Sequence, residues 1–205
     1  MRCQTNRDPH RPGFPTTDRT RRNGKTERDW NVAHIDPDQI NLGLLLLRVA
    51  VGGTMIAHGY NHFFRGGKIA GTARWFGSLG MKPGILHAWL ASVTELVAGS
   101  MLILGLLTPL AAGACAGVMI VAWITNHLKN GFFIFRPGEG WEYVANLTFV
   151  SLAIGALGPG EWSLDDKIDF VLHGWRGFAA ALIIGVGGSA ALLATFWRPP
   201  PREAK

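Results

Sequence analysis

The chain has 205 residues, of which 48% are hydrophobic and only 17% are charged, and its formal net charge is +6. The charge is unevenly placed, because residues 1–39 hold eight of the 20 Lys and Arg residues and six of the 14 Asp and Glu residues. The rest consists mainly of long uncharged segments, which excludes a uniformly soluble globule. Two cysteines exclude a disulfide framework, and the dispersal of basic residues over tails and loops argues against nucleic-acid binding.

Residues 1–39 combine Pro, Arg, Asp, Thr and Asn without helical or strand periodicity. Such a segment buries too little apolar surface to offset the entropy of ordering, so we predict a disordered basic tail. No apolar segment closely follows its first arginines, which argues against a signal peptide. A basic tail of this kind commonly rests on acidic lipid headgroups.

Five apolar segments follow, at about 41–60, 85–107, 109–128, 141–158 and 176–197. About 20 helical residues cross the hydrocarbon core of a bilayer. Backbone groups in lipid must be satisfied internally, and these segments lack strand alternation, so helices are expected. We predict an all-α integral membrane protein with an antiparallel four-helix transmembrane bundle over residues 40–167. An appended fifth transmembrane helix over 168–198 and a short tail over 199–205 complete the predicted chain.

The connection at 61–84 mixes aromatic and basic residues and is too charged to cross a membrane. This composition predicts an amphipathic segment that lies in the membrane interface and caps the bundle. Small residues recur every four positions in the third and fifth segments, from Gly113 to Gly117 and from Gly177 to Ser189. Such stripes allow helices to approach closely, either within the chain or across a homodimer seam.

Two charged residues lie near the middles of the first two apolar segments, Arg48 and Glu95. Consecutive membrane helices run antiparallel, so we expect both side chains at similar depth. An isolated charge there costs a few kcal/mol, which favours a mutual ion pair over two separate charges in a wet cavity. The pair has two interpretations, a staple that fixes helix register and a functional group.

Helix polarity brings the end of the first segment, the start of the second, the end of the third and the start of the fourth to one membrane face. The polar candidates at this face are His58, His62, His127, Asn130 and Glu142. We predict that they converge at a mouth above Arg48 and Glu95, where imidazoles exchange protons near neutral pH. Interfacial snorkelling is the alternative. No H-E-x-x-H or E-x-x-H pattern supports a metal, so no metal site is expected.

An ordered series of motifs resembles the DoxX family of bacterial membrane proteins: HGYNHFF at 58–64, GTARWFGSLGMKPG at 71–84, and NHLKNGFF at 126–133. The resemblance covers about residues 40–167 and implies a four-helix core. It also implies association with redox systems, because related proteins form a thiosulfate:quinone oxidoreductase or accompany a membrane oxidoreductase complex. The sequence departs from the family at His62, where a lysine is frequent.

The resemblance therefore predicts a multi-pass protein of the bacterial inner (plasma) membrane that supports quinone-linked thiol or sulfur redox chemistry. It would bind quinone or dock soluble redox enzymes, and whether it is itself an enzyme stays open. No haem, flavin or iron–sulfur ligand set is visible in the sequence, so no covalently bound cofactor is expected. The alternatives are a non-catalytic scaffold and a small-solute transporter. The Lys and Arg residues near the helix ends favour an N-terminus outside the cytoplasm. Export of a basic tail without a signal sequence is unfavourable, however, so we expect a cytoplasmic N-terminus.

Overall fold

The computed structural model describes residues 36–170 and 172–200, so most of the predicted tail and the last five residues lie outside the described part. Within these ranges the chain is helical and contains no strand, which confirms the predicted all-α class. The helices are α1 (Pro37–Phe64), α2 (Lys68–Ser78), α3 (Gly84–Leu104), α4 (Thr108–Ala122), α5 (Glu142–Leu157), α6 (Leu164–Lys167), α7 (Gly174–Leu182) and α8 (Gly188–Phe196).

Two of the longer helical segments contain a π-helical turn. The turn at Trp123–His127 continues α4 to a short 3-10 turn that ends at Asn130, and the turn at Ile183–Gly187 joins α7 to α8.

Among the described residues, four helical segments are long and apolar enough to cross a membrane: Pro37–Phe64, Gly84–Leu104, Thr108–Asn130 and Gly174–Phe196. The remaining apolar helix, α5, has 16 residues, which is about 24 Å of helix and short of a hydrocarbon core of about 30 Å.

The first helix begins earlier than the sequence pattern predicts. Asp36 accepts a hydrogen bond from the Asp38 backbone N–H at 3.0 Å, and Pro37 occupies the first turn. An acidic N-cap accepts a hydrogen bond from a backbone N–H that would otherwise be unpaired, and proline in the first turn has no N–H to pair. Both features therefore favour a helix start here. The predicted boundary of the tail at residue 39 is therefore wrong, because residues 37–39 already belong to α1.

Glycines set the distance and the register between α1 and α3. A Cβ on Gly52 would lie 2.5 Å from the Gly99 carbonyl oxygen, and a Cβ on Gly59 would lie 3.0 Å from the Ser92 carbonyl oxygen. The two antiparallel helices therefore touch backbone to backbone at two levels. This contact fixes which residues of α1 and α3 stand at the same depth.

The small-residue stripes are used inside the chain. A Cβ on Gly113 would meet the Ala181 backbone, and Ser189 Oγ donates to the Gly117 carbonyl at 3.0 Å. On the other side of α7, a Cβ on Gly155 would lie 2.6 Å from the Ala181 Cβ. The α7–α8 span thus packs against α4 and α5 through small residues, and a homodimer stays a prediction.

We call the membrane side where α1 and α8 end and α3 begins the mouth face. Here the end of α8 is tied to the α2–α3 connection: Trp197 Nε1 donates to the Leu79 carbonyl at 2.9 Å, and the Arg198 N–H donates to the Gly80 carbonyl at 2.9 Å. The Lys82 N–H donates to the Phe196 carbonyl at 3.1 Å. These bonds fasten the last span beside α2, whose position in the membrane interface stays a prediction.

The number of crossings determines where the chain termini lie. If α5 crosses despite its length, five crossings place the N- and C-termini on opposite membrane sides. We expect an alkaline phosphatase fusion to be active at one terminus only, and a fluorescent-protein fusion to be bright at the other. Two termini on one side would contradict the five-crossing topology.

The Gly52–Gly99 contact predicts how a Gly52→Ala substitution changes stability. In Gly52→Ala the new methyl group forces the two backbones apart, so we expect the free energy of unfolding in detergent to fall by about 1–3 kcal/mol. Gly43→Ala is the matched control, because a Cβ at Gly43 has nothing within 4 Å. Equal stability of the two variants would mean that α1 and α3 are not in backbone contact.

Candidate ligand cavity

A cavity of about 490 Å³ lies between α1, α2, α3, the α4 span, α5 and the α7–α8 span. This volume is in the range of ligand pockets in proteins, about 300–1,000 Å³. Most of its wall is apolar, including Met81, Leu90, Val118 and Leu192. The polar part of its wall includes His58, His62, His87, Glu95, Thr125, His127 and Tyr143.

The deepest polar contact joins α1 to α3. Glu95 is only 3% exposed, its Oε2 lies 3.6 Å from His62 Nε2, and this oxygen has no hydrogen-bond partner among the described residues. The two side chains meet because Cα–Cβ bonds tilt toward the helix N-terminus. In antiparallel helices His62 therefore reaches from the mouth face into the bundle, while Glu95 reaches toward the mouth. Thr72 Oγ1 of α2 lies 3.4 Å from His62 Nδ1, on the far side of the ring.

A second polar contact joins the α4 span to α5. His127 Nδ1 lies 2.9 Å from the Glu139 carbonyl oxygen, and His127 Nε2 lies 3.1 Å from the Tyr143 hydroxyl. A carbonyl only accepts, so Nδ1 carries the hydrogen and Nε2 of the neutral ring accepts from the Tyr143 O–H. The His58 ring stacks on that of Tyr143 with centroids 6.5 Å apart. The π-helical turn ending at His127 is a device frequent at functional sites.

His87, near the start of α3, was not among the residues singled out from the sequence. It is 2% exposed, lines the cavity, and its Nε2 has no hydrogen-bond partner. Its ring packs edge-on against Phe196 of α8, with centroids 5.2 Å apart. A histidine in the first turn of an apolar helix resembles an ordinary interfacial residue, so the pattern alone carries little signal. Tyr143 was missed for the same reason.

Two of the predicted mouth residues flank the α4–α5 connection and do not line the cavity: Asn130 ends the α4 span and Glu142 begins α5. Asn130 Nδ2 donates to the Gly138 carbonyl at 2.5 Å and to the Glu139 carbonyl at 3.1 Å. Glu142 Oε2 accepts from the Ile134 backbone N–H at 3.2 Å. Both side chains brace the backbone of this connection. The structure thus brings His58, His62, His127 and Glu95 to one cavity and leaves Asn130 and Glu142 outside it.

The predicted Arg48–Glu95 ion pair is wrong. The Gly52–Gly99 register places Arg48 opposite Ile103, eight residues from Glu95, or about 12 Å along the helix. The side chains also diverge, since each tilts toward its own helix N-terminus and these lie at opposite faces. Arg48 is fully buried, and its Nη2 donates to the Trp162 carbonyl at 2.5 Å.

Arg48 belongs to a separate node at the face opposite the mouth. A Cβ on Gly105 would collide with Arg48 Nη1, and the Gly105 carbonyl accepts from the Asp165 N–H at 2.8 Å. The Asp165 carboxylate in turn accepts from the backbone N–H groups of Leu107 at 2.6 Å and Thr108 at 2.8 Å. A carboxylate there satisfies the unpaired donors at the start of α4 and complements its dipole. The node therefore fixes helix ends.

Comparison with known proteins agrees with this helical core. The sequence profile of the DoxX family matches residues 43–128. The Bacillus subtilis protein "Putative oxidoreductase CatD" is 34% identical over 113 residues, which cover 55% of this chain and 78% of that protein. The chain belongs to the DoxX family.

A second protein similar to this chain is the Mycobacterium tuberculosis "Uncharacterized membrane protein Rv3486". It is 29% identical over 134 residues, which cover 61% of this chain and 80% of that protein. No solved structure matches the chain at a significant level. The DoxX match includes His58, His62, Glu95 and His127 of the cavity, and the cavity wall formed by the α7–α8 span lies outside it.

The separation of the two buried charges has a measurable consequence. Arg48→Met and Glu95→Gln should change the free energy of unfolding additively, within about 0.5 kcal/mol, because distant sites without shared partners act independently. His62→Gln and Glu95→Gln share a contact and should not be additive. The three single and two double variants are compared by denaturant unfolding in detergent, and coupling between Arg48 and Glu95 would contradict the assigned register.

Proposed function

We propose that this DoxX-family protein binds the headgroup of a membrane quinone and supports quinone-linked thiol or sulfur redox chemistry in the bacterial inner membrane. One observation carries the proposal: the buried Glu95 carboxylate, with an oxygen free of hydrogen bonds, lines an apolar cavity of about 490 Å³ beside His62. An unpaired buried acceptor is costly. A hydroxyl group of a reduced quinone would satisfy it.

The polar contacts fit both oxidation states of such a ligand. A reduced ring presents O–H donors that Glu95 Oε2 can accept, and an oxidised ring presents carbonyls that accept from an imidazole N–H or a hydroxyl. The quinone supplies the two-electron chemistry. The residues of the cavity orient the quinone ring, and Glu95, His62 and His127 hold or release protons.

The electrons come, in this proposal, from a soluble thiol or sulfur oxidoreductase that docks on the membrane protein. The name of the Bacillus subtilis relative, "Putative oxidoreductase CatD", supports redox chemistry without specifying the substrate. The family-like motifs at 58–64 and 126–133 support it as well, because they contribute His58 and His127 to the cavity, where His62 stands in place of the lysine that is frequent in the family.

A non-catalytic scaffold is the second candidate function. The observation in its favour is the α4–α5 connection, where Phe132, Phe133 and Phe135 are exposed, the last at 79%. Glu142 and Asn130 hold the backbone of this connection in place. An ordered apolar connection at the membrane surface suits attachment of a protein partner, and this function needs no ligand in the cavity.

Glu95→Gln tests the quinone proposal. Gln keeps one acceptor oxygen but cannot carry charge or exchange a proton, and a typical hydrogen bond contributes about 0.5–1.5 kcal/mol, so we expect the affinity for quinone to fall by about threefold to tenfold. The measurement is mass spectrometry of the quinone retained per mole of detergent-purified protein, together with titration of added quinone. Glu142→Gln is the matched control, because it makes the same chemical change outside the cavity wall and should retain quinone at the wild-type level.

Two results separate the candidate functions. Wild-type quinone retention in Glu95→Gln, at matched protein abundance and stability, would remove the quinone proposal. A stable soluble partner that co-purifies equally with wild type and Glu95→Gln, without bound quinone in either, would favour the scaffold.

A further inference from the structure

The cavity has an opening on the side of the bundle, between α3 and α8. Leu90 on α3 is 46% exposed and Gly188 on α8 is exposed, yet both residues line the cavity. Trp75 on α2 and Glu139 before α5 are also exposed residues of the cavity wall, so the cavity is open toward the mouth face as well. Leu90 and Gly188 stand on two neighbouring helices, and we call the gap between them the slot.

The slot extends from near the mouth face toward the middle of the membrane span. At the mouth face α3 and α8 are joined, because the His87 ring packs on Phe196 and the Lys82 N–H donates to the Phe196 carbonyl. The two helices run antiparallel from this junction. Leu90 is three residues further along α3, about 5 Å below the junction, and Gly188 is eight residues further along α8, about 12 Å below it and level with Glu95. In a span of about 30 Å, the Gly188 end of the slot is within the hydrocarbon core.

The cavity wall next to the slot is mostly apolar. Leu90 and Ala91 lie on its α3 side together with Thr94, and Ile184 and Leu192 lie on its α8 side next to Gly188. An apolar edge is compatible with lipid chains, whereas an aqueous channel would be expected to have polar edges. At the same depth as Gly188 lies the Glu95 carboxylate, whose Oε2 has no hydrogen-bond partner among the described residues.

From this arrangement we infer that the slot between α3 and α8 is a lateral portal, through which the alkyl or isoprenoid tail of a membrane-dissolved amphiphile leaves the cavity while its polar head contacts Glu95. The inference deepens the proposed function and rests on it for the identity of the headgroup. It adds the route, from the bilayer rather than from water, and it requires a ligand with a long apolar tail.

Gly188 allows the portal to be narrowed without disturbing the fold. A Cβ there has nothing within 4 Å, so Gly188→Leu places its side chain in open space at the rim. Gly187→Leu is the matched control, because a Cβ at Gly187 also has nothing within 4 Å and this residue does not line the cavity. Leu90→Trp narrows the same slot from α3 and serves as a second, independent variant.

The test uses the full chain in phosphatidylcholine vesicles with a long-chain alcohol that carries a diazirine in its alkyl tail. After photolysis, labelled peptides are mapped, with and without a decyl-tailed benzoquinone or the tail-less benzoquinone as competitor. We expect labelling at Leu90, Thr94 and Leu192, reduced about tenfold in Gly188→Leu and in Leu90→Trp. Gly187→Leu should be labelled as wild type, and the tailed quinone should compete better than the tail-less one.

The outcomes separate the portal from the proposed function. Absence of label at these positions, or equal labelling in wild type, Gly188→Leu and Leu90→Trp, would overturn the portal, even if both quinones bind the protein. Labelling that falls in both portal variants but does not respond to either quinone would support the portal and contradict the quinone headgroup. A bilayer phospholipid that competes in place of quinone would identify the tail's source as an acyl chain and overturn the link to quinone.

Discussion

The backbone contact between Gly52 and Gly99 determines most of what the rest of the bundle can do. It fixes the antiparallel register of α1 and α3, and from that register follow the contact of His62 with Glu95 and the separation of Arg48 from Glu95. His62 and Glu95 meet within the cavity because their side chains tilt toward one another along the axis. Arg48 tilts the other way and reaches the opposite face. One steric constraint between two glycines therefore places His62 and Glu95 in the cavity and Arg48 at the opposite face of the bundle.

The number, order and approximate bounds of the apolar helices could be predicted from hydropathy, because the length of a membrane span is set by the bilayer itself. The polarity of alternating helices was also sufficient to place His58, His62 and His127 on one face. The partner of Arg48 could not be predicted in this way. Matching the centres of two segments neglects both the stagger imposed by Gly52 and the axial tilt of the side chains, and each moves Arg48 away from Glu95.

Other site residues could not be predicted from the sequence pattern, because their roles depend on contacts between distant segments. Tyr143 becomes part of the site only when α5 packs beside the π-helical turn that ends at His127, and no periodicity indicates that extra residue in the turn. His87 becomes distinctive only when Phe196 closes over its ring. Glu142 is the converse case, since an acidic residue at a helix start resembles a mouth residue until the Ile134 N–H is found to occupy its carboxylate.

The last span explains how a small bundle can hold both a buried carboxylate and a cavity. Glu95 has few polar neighbours, so its environment must be shaped mainly by the helices that exclude water around it. The DoxX match ends at residue 128, yet Ile184, Gly188 and Leu192 form part of this cavity's wall. Small residues let the span approach α4 closely, and the bonds of Trp197 and Arg198 hold its far end to the α2–α3 connection. The span is thereby held against α4 along its length and against the α2–α3 connection at its end, which closes this side of the bundle around Glu95 without adding a polar partner.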